Sequence, residues 1–118
     1  EILGAPIPNK VFARMAEEVL DLQKHPRRFE TVEMQVIRIG DVFAVGFPGE
    51  PFAGIGWAIK NTPGFRLVIP TCLTNGHQGY FPMKEAYDEG GYEARSSNFR
   101  SGVAETMIAQ MQDLLKSL

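Results

Sequence analysis

Two apolar segments in the first half of the chain have the spacing of β-strands. Apolar and polar residues alternate from Thr31 to Ile39, and nearly every residue from Val42 to Phe47 is apolar. An almost wholly apolar run is typical of a strand that is covered on both faces. Because Gly40-Asp41 between them is a turn signal, we expect the two strands to form a β-hairpin.

The pattern then changes to helical spacing and back. Phe52 to Lys60 carries an apolar face, and Pro51 suits the first position of a helix. Leu67 to Leu73 is again strand-like, and Pro70 within it indicates a bulge or a sheet edge. Strand, helix and strand in this order predict a βαβ unit with parallel strands.

Helices are predicted at both ends of the chain. The first has Asn9 as its N-cap and stops before Pro26, and the last is capped by Ser101. The segment from Tyr80 to Asn98 is predicted to be a loop. The fold class is therefore mixed α/β: a small sheet with a β-hairpin and a βαβ unit, flanked by N-terminal and C-terminal helices.

The chain is expected to form one domain over residues 1–118, or a fragment of a longer one. It begins with Glu1 rather than Met, and an apolar, proline-containing segment precedes the first helix. A net charge of −2 gives no electrostatic case for nucleic acid. No apolar run approaches the ~20 residues that span a bilayer. The single cysteine, Cys72, excludes an internal disulfide and is expected to be buried.

Two short polar segments follow the predicted parallel strands, and we call them the Glu50 segment and the Tyr80 segment. The first is Pro48–Phe52 and the second is Asn75–Tyr80. Ligands of open parallel sheets bind beyond the carboxyl ends of the strands. We therefore expect both segments to lie at one edge of the sheet and to share a ligand.

Each candidate residue also has a structural interpretation. Glu50 beside Pro51 is either a helix-start acid favoured by the helix dipole, or a metal ligand or general base. Tyr80 is either a packed aromatic residue or part of a site. His77 is either a solvated loop residue or a neutral metal-binding imidazole, and neither histidine has a recognisable zinc spacing.

The ordered set of segments resembles the neutral (non-lysosomal) ceramidase family, in the C-terminal part of its catalytic domain. The resemblance covers about Glu33 to Glu93, and its order is more specific than any single segment. It is carried by Pro48-Gly49-Glu50-Pro51-Phe52, Asn75-Gly76-His77-Gln78-Gly79-Tyr80, Glu85-Ala86-Tyr87 and Gly91-Tyr92-Glu93.

The resemblance implies a role for each matched residue. Glu50 and Tyr80 correspond to zinc ligands, and Tyr92 to the catalytic tyrosine that contacts the reacting amide. Asn75 and His77 are expected to contact substrate. Two further histidine ligands would come from a segment missing here, so the 118 residues alone would bind zinc weakly and lack activity.

The implied function is part of a zinc-dependent amidohydrolase, in which zinc-activated water cleaves the N-acyl bond of a ceramide-like lipid. Its expected partner is the remainder of the catalytic domain or a second chain, and an oligomer is one form that the second arrangement would take. The family resemblance implies a secreted or extracytoplasmic protein. Two alternatives stay open: a hydrolase of a non-lipid N-acyl substrate, and a non-catalytic α/β interaction module on the same scaffold.

Overall fold

The computed structural model of the chain describes residues 9–25 and 29–118. It divides into two compact units, Glu1–Thr31 and Val32–Leu118. In the first unit the described part contains helix α1, Asn9–Lys24, which confirms the predicted helix, although Asn9 is its first helical residue and not its N-cap. Pro26, which was predicted to end that helix, and the first eight residues lie outside the described residues.

The second unit contains five strands and four helices among its described residues, and it holds every predicted site residue. The strands are β1 (Gln35–Ile39), β2 (Val42–Gly46), β3 (Glu50–Pro51), β4 (Leu67–Thr71) and β5 (Tyr80–Phe81). The helices are α2 (Ala53–Lys60), α3 (Lys84–Glu89), α4 (Tyr92–Ser96) and α5 (Val103–Lys116).

The main sheet has the strand order β1-β2-β4, and it confirms the predicted mixed α/β class. Strands β1 and β2 pair antiparallel through a turn at Gly40, whose φ of 59° suits glycine. Strands β2 and β4, which precede and follow helix α2 in the sequence, pair parallel, as the βαβ prediction requires. Pro70 lies in β4 at the edge of this sheet, where its missing N–H costs no ladder bond.

The core lies between one face of this sheet and two helices. Phe43, Val45 and Val68 supply the sheet side of the core. From the helices come Ile55 and Ile59 of α2, and Ala104, Met107, Met111 and Leu115 of α5. Burying each large apolar side chain contributes about 1.5–3 kcal/mol, so this layer stabilises the main sheet, from which the chain continues into the candidate site.

The start of helix α2 differs from the prediction. Pro51 is not a helical residue: it forms β3 with Glu50, and the helix begins at Ala53 with Phe52 as its N-cap. The backbone N–H groups of Glu50 and Phe52 donate to Gly79 and Phe81 and so belong to a strand pair. Glu50 is therefore not a helix-start acid, and that interpretation is wrong.

Three further predictions are also corrected. The segment after Tyr80 is not a loop but contains helices α3 and α4, separated by Gly90 and Gly91 at φ values of 79° and 117°. The N-cap of α5 is Gly102 rather than Ser101. Cys72 is exposed, because β4 ends at Thr71 and the chain has already left the sheet.

No helix in the described ranges 9–25 and 29–118 is long and apolar enough to cross a membrane.

Candidate functional site

The Glu50 and Tyr80 segments meet as a second, two-stranded parallel sheet. Glu50 is the register partner of Tyr80, and Pro51 that of Phe81. The Glu50 N–H donates to the Gly79 carbonyl at 2.8 Å, and the Phe52 N–H donates to the Phe81 carbonyl at 3.2 Å. The predicted convergence of the two segments is thus made by direct backbone pairing.

Phe81 determines which way Tyr80 faces. The Phe81 ring is fully buried and contacts the Phe99 ring, with 5.0 Å between the ring centroids. Successive side chains of a strand point to opposite sides, so anchoring Phe81 in the core directs Tyr80 away from it. The half-buried Tyr80 side chain accordingly lines a surface cavity.

Gly49 lets the two segments approach this closely. A Cβ atom at Gly49 would lie 2.5 Å from the Gly79 carbonyl oxygen and 2.7 Å from the Phe81 ring. Gly79 itself has a φ of 82°, a conformation that a side chain disfavours. The close approach of the two strands therefore explains the glycine at position 49.

The loop that leads to Tyr80 is tied to the Glu50 segment. The Leu73 N–H donates to the Gly49 carbonyl, and the Gln78 N–H donates to the Pro48 carbonyl, both at 2.8 Å. Asn75 within this loop has a positive φ of 58°, which asparagine tolerates better than most residues. The loop is therefore held at both of its ends.

A cavity of about 360 Å³ opens beside the strand pair. Its lining combines two carboxylates and a phenol with apolar residues of β3 and of the start of α2. The lining residues are Glu50, Pro51, Phe52, Ala53, Tyr80 and Glu93.

The structure places two of the other predicted site residues beside residues that line this cavity. The Tyr92 ring packs edge-on against Tyr80, with 5.9 Å between centroids, and is two-thirds exposed. The His77 Nε2 atom lies 3.9 Å from the Glu50 Oε1 atom, and both side chains are solvent-accessible. An exposed pair of this kind contributes little to stability, so its position matters more than its energy.

Asn75 is placed differently. Its Nδ2 group donates to the Gln35 Oε1 atom of β1 at 2.9 Å, and it is not among the residues that line the cavity. The amide therefore ties the loop to the main sheet. Substrate contact by Asn75 and His77, like the catalytic role of Tyr92, stays a prediction.

Glu93 is a cavity residue that the sequence did not single out. It lies in the first turn of α4, next to Tyr92, and its side chain lines the same cavity as Glu50. Its signal in the sequence is its membership of the segment Gly91-Tyr92-Glu93, which carries the family resemblance. Glu93 gives the cavity a second carboxylate.

The surroundings of Tyr80 favour its protonated form. Desolvation of the phenol raises the pKa of Tyr80 above its ordinary value, and the charge of Glu50 raises it further, followed by smaller effects of Tyr92 and Glu93. Tyr80 is therefore a neutral phenol at pH 7 when no cation is bound, and can donate a hydrogen bond.

Tyr87 and Ser97 hold the backbone of Tyr80. The Ser97 hydroxyl donates to the Tyr80 carbonyl at 3.0 Å, and the Tyr87 hydroxyl lies 3.2 Å from the Ser97 oxygen. The same Tyr87 hydroxyl also lies 2.9 Å from the Phe99 carbonyl and donates to it. These hydrogen bonds connect α3 and the segment after α4 to the strand that carries Tyr80. Tyr87 therefore helps to fix the position of the Tyr80 backbone.

The residues at and beside the cavity include atom types that can bind a metal ion. Carboxylate oxygen and imidazole nitrogen are ordinary zinc ligands, and the Glu50 and Tyr80 side chains start from partner positions. Catalytic zinc sites use three protein ligands. In the ranges 9–25 and 29–118, no cluster of three or more histidine, cysteine, aspartate or glutamate residues could hold a metal ion. The described residues by themselves therefore do not form such a site.

Together, the fold and the cavity define a small α/β unit in which two carboxylates and a phenol line one opening, with an imidazole beside one of the carboxylates. The chain is similar to a protein described as a neutral ceramidase from Mycobacterium tuberculosis, with 29% identity over 104 residues. The similarity covers 83% of this chain, and the chain spans 14% of the length of that relative. No protein-family model matches, and no solved structure matches. The relationship to ceramidases is a distant one.

Proposed function

We propose that these 118 residues form part of a zinc-dependent amidohydrolase that cleaves an N-acyl bond. The observation that carries this proposal is the pairing of Glu50 with Tyr80 beside a cavity that Glu93 also lines. The distant similarity to a neutral ceramidase supports the same class of reaction. A ceramide-like lipid is the proposed substrate.

In this proposal, Glu50 and Tyr80 contribute two oxygen ligands to the metal. A bound zinc ion supplies Lewis acidity and lowers the pKa of a coordinated water molecule. Tyr80 has to give up its proton to act as an anionic ligand, and its raised pKa opposes this in the absence of a cation. The cavity is therefore suited to a phenolate only when the metal is present.

Tyr92 is the proposed hydrogen-bond donor to the reacting amide. Its ring already lies against Tyr80, and its two-thirds exposure leaves the hydroxyl accessible to a ligand in the cavity. A donor in that position stabilises negative charge as it develops on the carbonyl oxygen. The apolar wall formed by Pro51, Phe52 and Ala53 would pack against the substrate near the amide.

The remaining ligands are proposed to come from the rest of the catalytic domain or from a second chain. The similar protein is much longer than the matched region, which leaves ample chain for them. The 118 residues alone are then expected to bind zinc weakly, because two ligands form an incomplete site.

The test is to measure zinc content and amide hydrolysis in the complete protein for wild type, Glu50→Ala and Tyr80→Phe. Glu89→Ala is the matched control, because Glu89 is an exposed acid at the end of α3. We expect the Glu50 variant to lose zinc and to lose more than about 100-fold in kcat/KM. Removing a residue that only hydrogen-bonds to a metal ligand costs up to about 100-fold, and removing a ligand itself should cost more. The control should keep both properties.

Substrate choice is tested in the same experiment. An N-acyl amino alcohol of the ceramide type is compared with an N-acyl amino acid, which carries an additional carboxylate. Preference for the second would support the non-lipid alternative. Full zinc content and turnover in Glu50→Ala would show that the assignment is wrong and would favour a non-catalytic module.

A further inference from the structure

The face of the main sheet that points away from α2 and α5 carries two aligned rows of apolar residues. The strand register places Ile37, Ala44 and Ile69 in one row. It places Ile39, Val42 and Leu67 in the next. We call these six residues the outer face.

The outer face is open, in contrast to the core face. Ile39 is 72% exposed and Ile37 50%, and Leu67 and Ile69 are 47% and 42% exposed. The core-side residues of the same strands, such as Val45 and Val68, are buried. Strands that pair in parallel are normally covered on both faces, and a contiguous exposed apolar patch marks an interaction surface.

The position of the outer face relates it to the candidate site. The next row along the sheet is Gln35, Gly46 and Thr71, and Asn75 donates to Gln35 there. Asn75 belongs to the loop that continues to His77 and Tyr80. A segment that crosses the outer face would therefore arrive beside this loop.

We infer that the outer face packs against the apolar side of a further segment of a longer polypeptide that contains these 118 residues. The face carries no charge, so its occupant has to be apolar and not an anionic polymer or a charged peptide. The length of the similar protein outside the matched region is ample for such a segment. The inference does not depend on the reaction that the cavity catalyses.

The test places a photo-crosslinking amino acid, p-benzoylphenylalanine, at Ile39 in the complete protein, and peptides joined to it are identified by mass spectrometry. Gln110, an exposed polar residue of α5, carries the same probe as the control. We expect the Ile39 probe to join, within one molecule, to a segment outside Glu1–Leu118. The Gln110 probe should give little adduct.

Cysteine alkylation gives a second reading that is independent of the crosslink. Because Cys72 is free and exposed, the variants are made in a Cys72→Ser background. Ile39→Cys should react roughly 100-fold more slowly than Gln110→Cys in the native protein and equally fast in denaturant, since labelling a covered site requires local opening.

Four results would overturn the inference. These are adducts confined to Glu1–Leu118, adducts between two molecules that disappear on dilution, equal alkylation at Ile39→Cys and Gln110→Cys, and a complete gene product no longer than these 118 residues. A loss of turnover in Glu50→Ala bears only on the hydrolase proposal. The two proposals can therefore fail separately.

Discussion

Glu50 and Tyr80 are register partners in a parallel strand pair of only two residues per strand. The carboxylate and the phenol therefore extend from neighbouring backbone positions on two paired strands. The Glu50 N–H donates to the Gly79 carbonyl at 2.8 Å and holds the two strands together. The arrangement depends on Gly49, because any side chain there would meet the Gly79 carbonyl. The cavity is consequently sensitive to a residue that has no functional group.

Gly49→Ala is expected to destabilise the protein and to separate the two strands. Its Cβ would lie 2.5 Å from the backbone oxygen of Gly79, which cannot move without breaking the Glu50 hydrogen bond. Overpacking of this kind costs about 1–3 kcal/mol in the free energy of unfolding. Urea denaturation followed by circular dichroism measures it.

Gly56→Ala is the matched control, since it is the same substitution inside helix α2. A Cβ there would meet only Pro70, at an ordinary 3.7 Å. Alanine is preferred over glycine in a helix by about 1 kcal/mol, so this variant should be more stable than wild type. If both variants changed stability in the same direction, the steric account of Gly49 would be wrong.

The sequence predicts the main sheet well because its patterns are long and regular. The hairpin and the βαβ unit follow from two apolar runs, a glycine turn and a helical stretch. The pair of β3 and β5 could not be predicted, because two residues carry no periodicity and the register is set by contacts between distant segments. Pro51 at a helix start is a sound local preference, but the pairing of its neighbours with Gly79 and Phe81 outweighs it.

The candidate site likewise has residues whose positions the sequence predicts and residues whose positions it does not. Glu50 and Tyr80 could be placed at one edge because each follows a parallel strand. The nearness of Tyr92 depends on α4, a helix of five residues that was predicted as loop, so only the family resemblance pointed to it. Glu93 was missed for the same reason, because it lies in the first turn of α4.

Tyr80 is expected to titrate above the ordinary tyrosine value of about 10 in the metal-free protein. Ultraviolet absorbance of the phenolate, as the difference between wild type and Tyr80→Phe, isolates this residue. Glu50→Gln should lower the pKa only partly, because desolvation is the largest cause. Added zinc should lower the pKa of Tyr80 if the phenol binds the metal, and no change in the complete protein would contradict that role.

The same shift predicts how stability depends on pH. Below about pH 10 the phenol is protonated in both the folded and the unfolded chain, so its contribution is fully present. Between about 10 and the higher folded pKa only the folded state keeps the proton, so stability falls as the pH rises. Tyr80→Phe should remove this part of the slope, whereas the exposed-acid control Glu89→Gln should leave it intact.

Tyr87→Phe is expected to weaken the support behind Tyr80 without changing the cavity lining. The substitution removes the hydroxyl that donates to the Phe99 carbonyl and contacts Ser97. A hydrogen bond of this kind contributes about 0.5–1.5 kcal/mol to stability. Thermal or urea unfolding measures the loss, and Ser97→Ala should produce a loss that is not additive with it, because the two residues share one network.

Tyr92→Phe, unlike Tyr87→Phe, is expected to reduce activity in the complete protein and to leave its stability nearly unchanged. The Tyr92 ring stays in place against Tyr80, and no hydrogen bond of its hydroxyl to another described residue stabilises the fold, so unfolding should change by less than about 0.5 kcal/mol. Loss of an oxyanion donor should instead reduce kcat by about 100- to 1000-fold with a smaller effect on KM. Unchanged kcat would exclude Tyr92 as the donor, and an equal loss of stability would identify it as a structural residue like Tyr87.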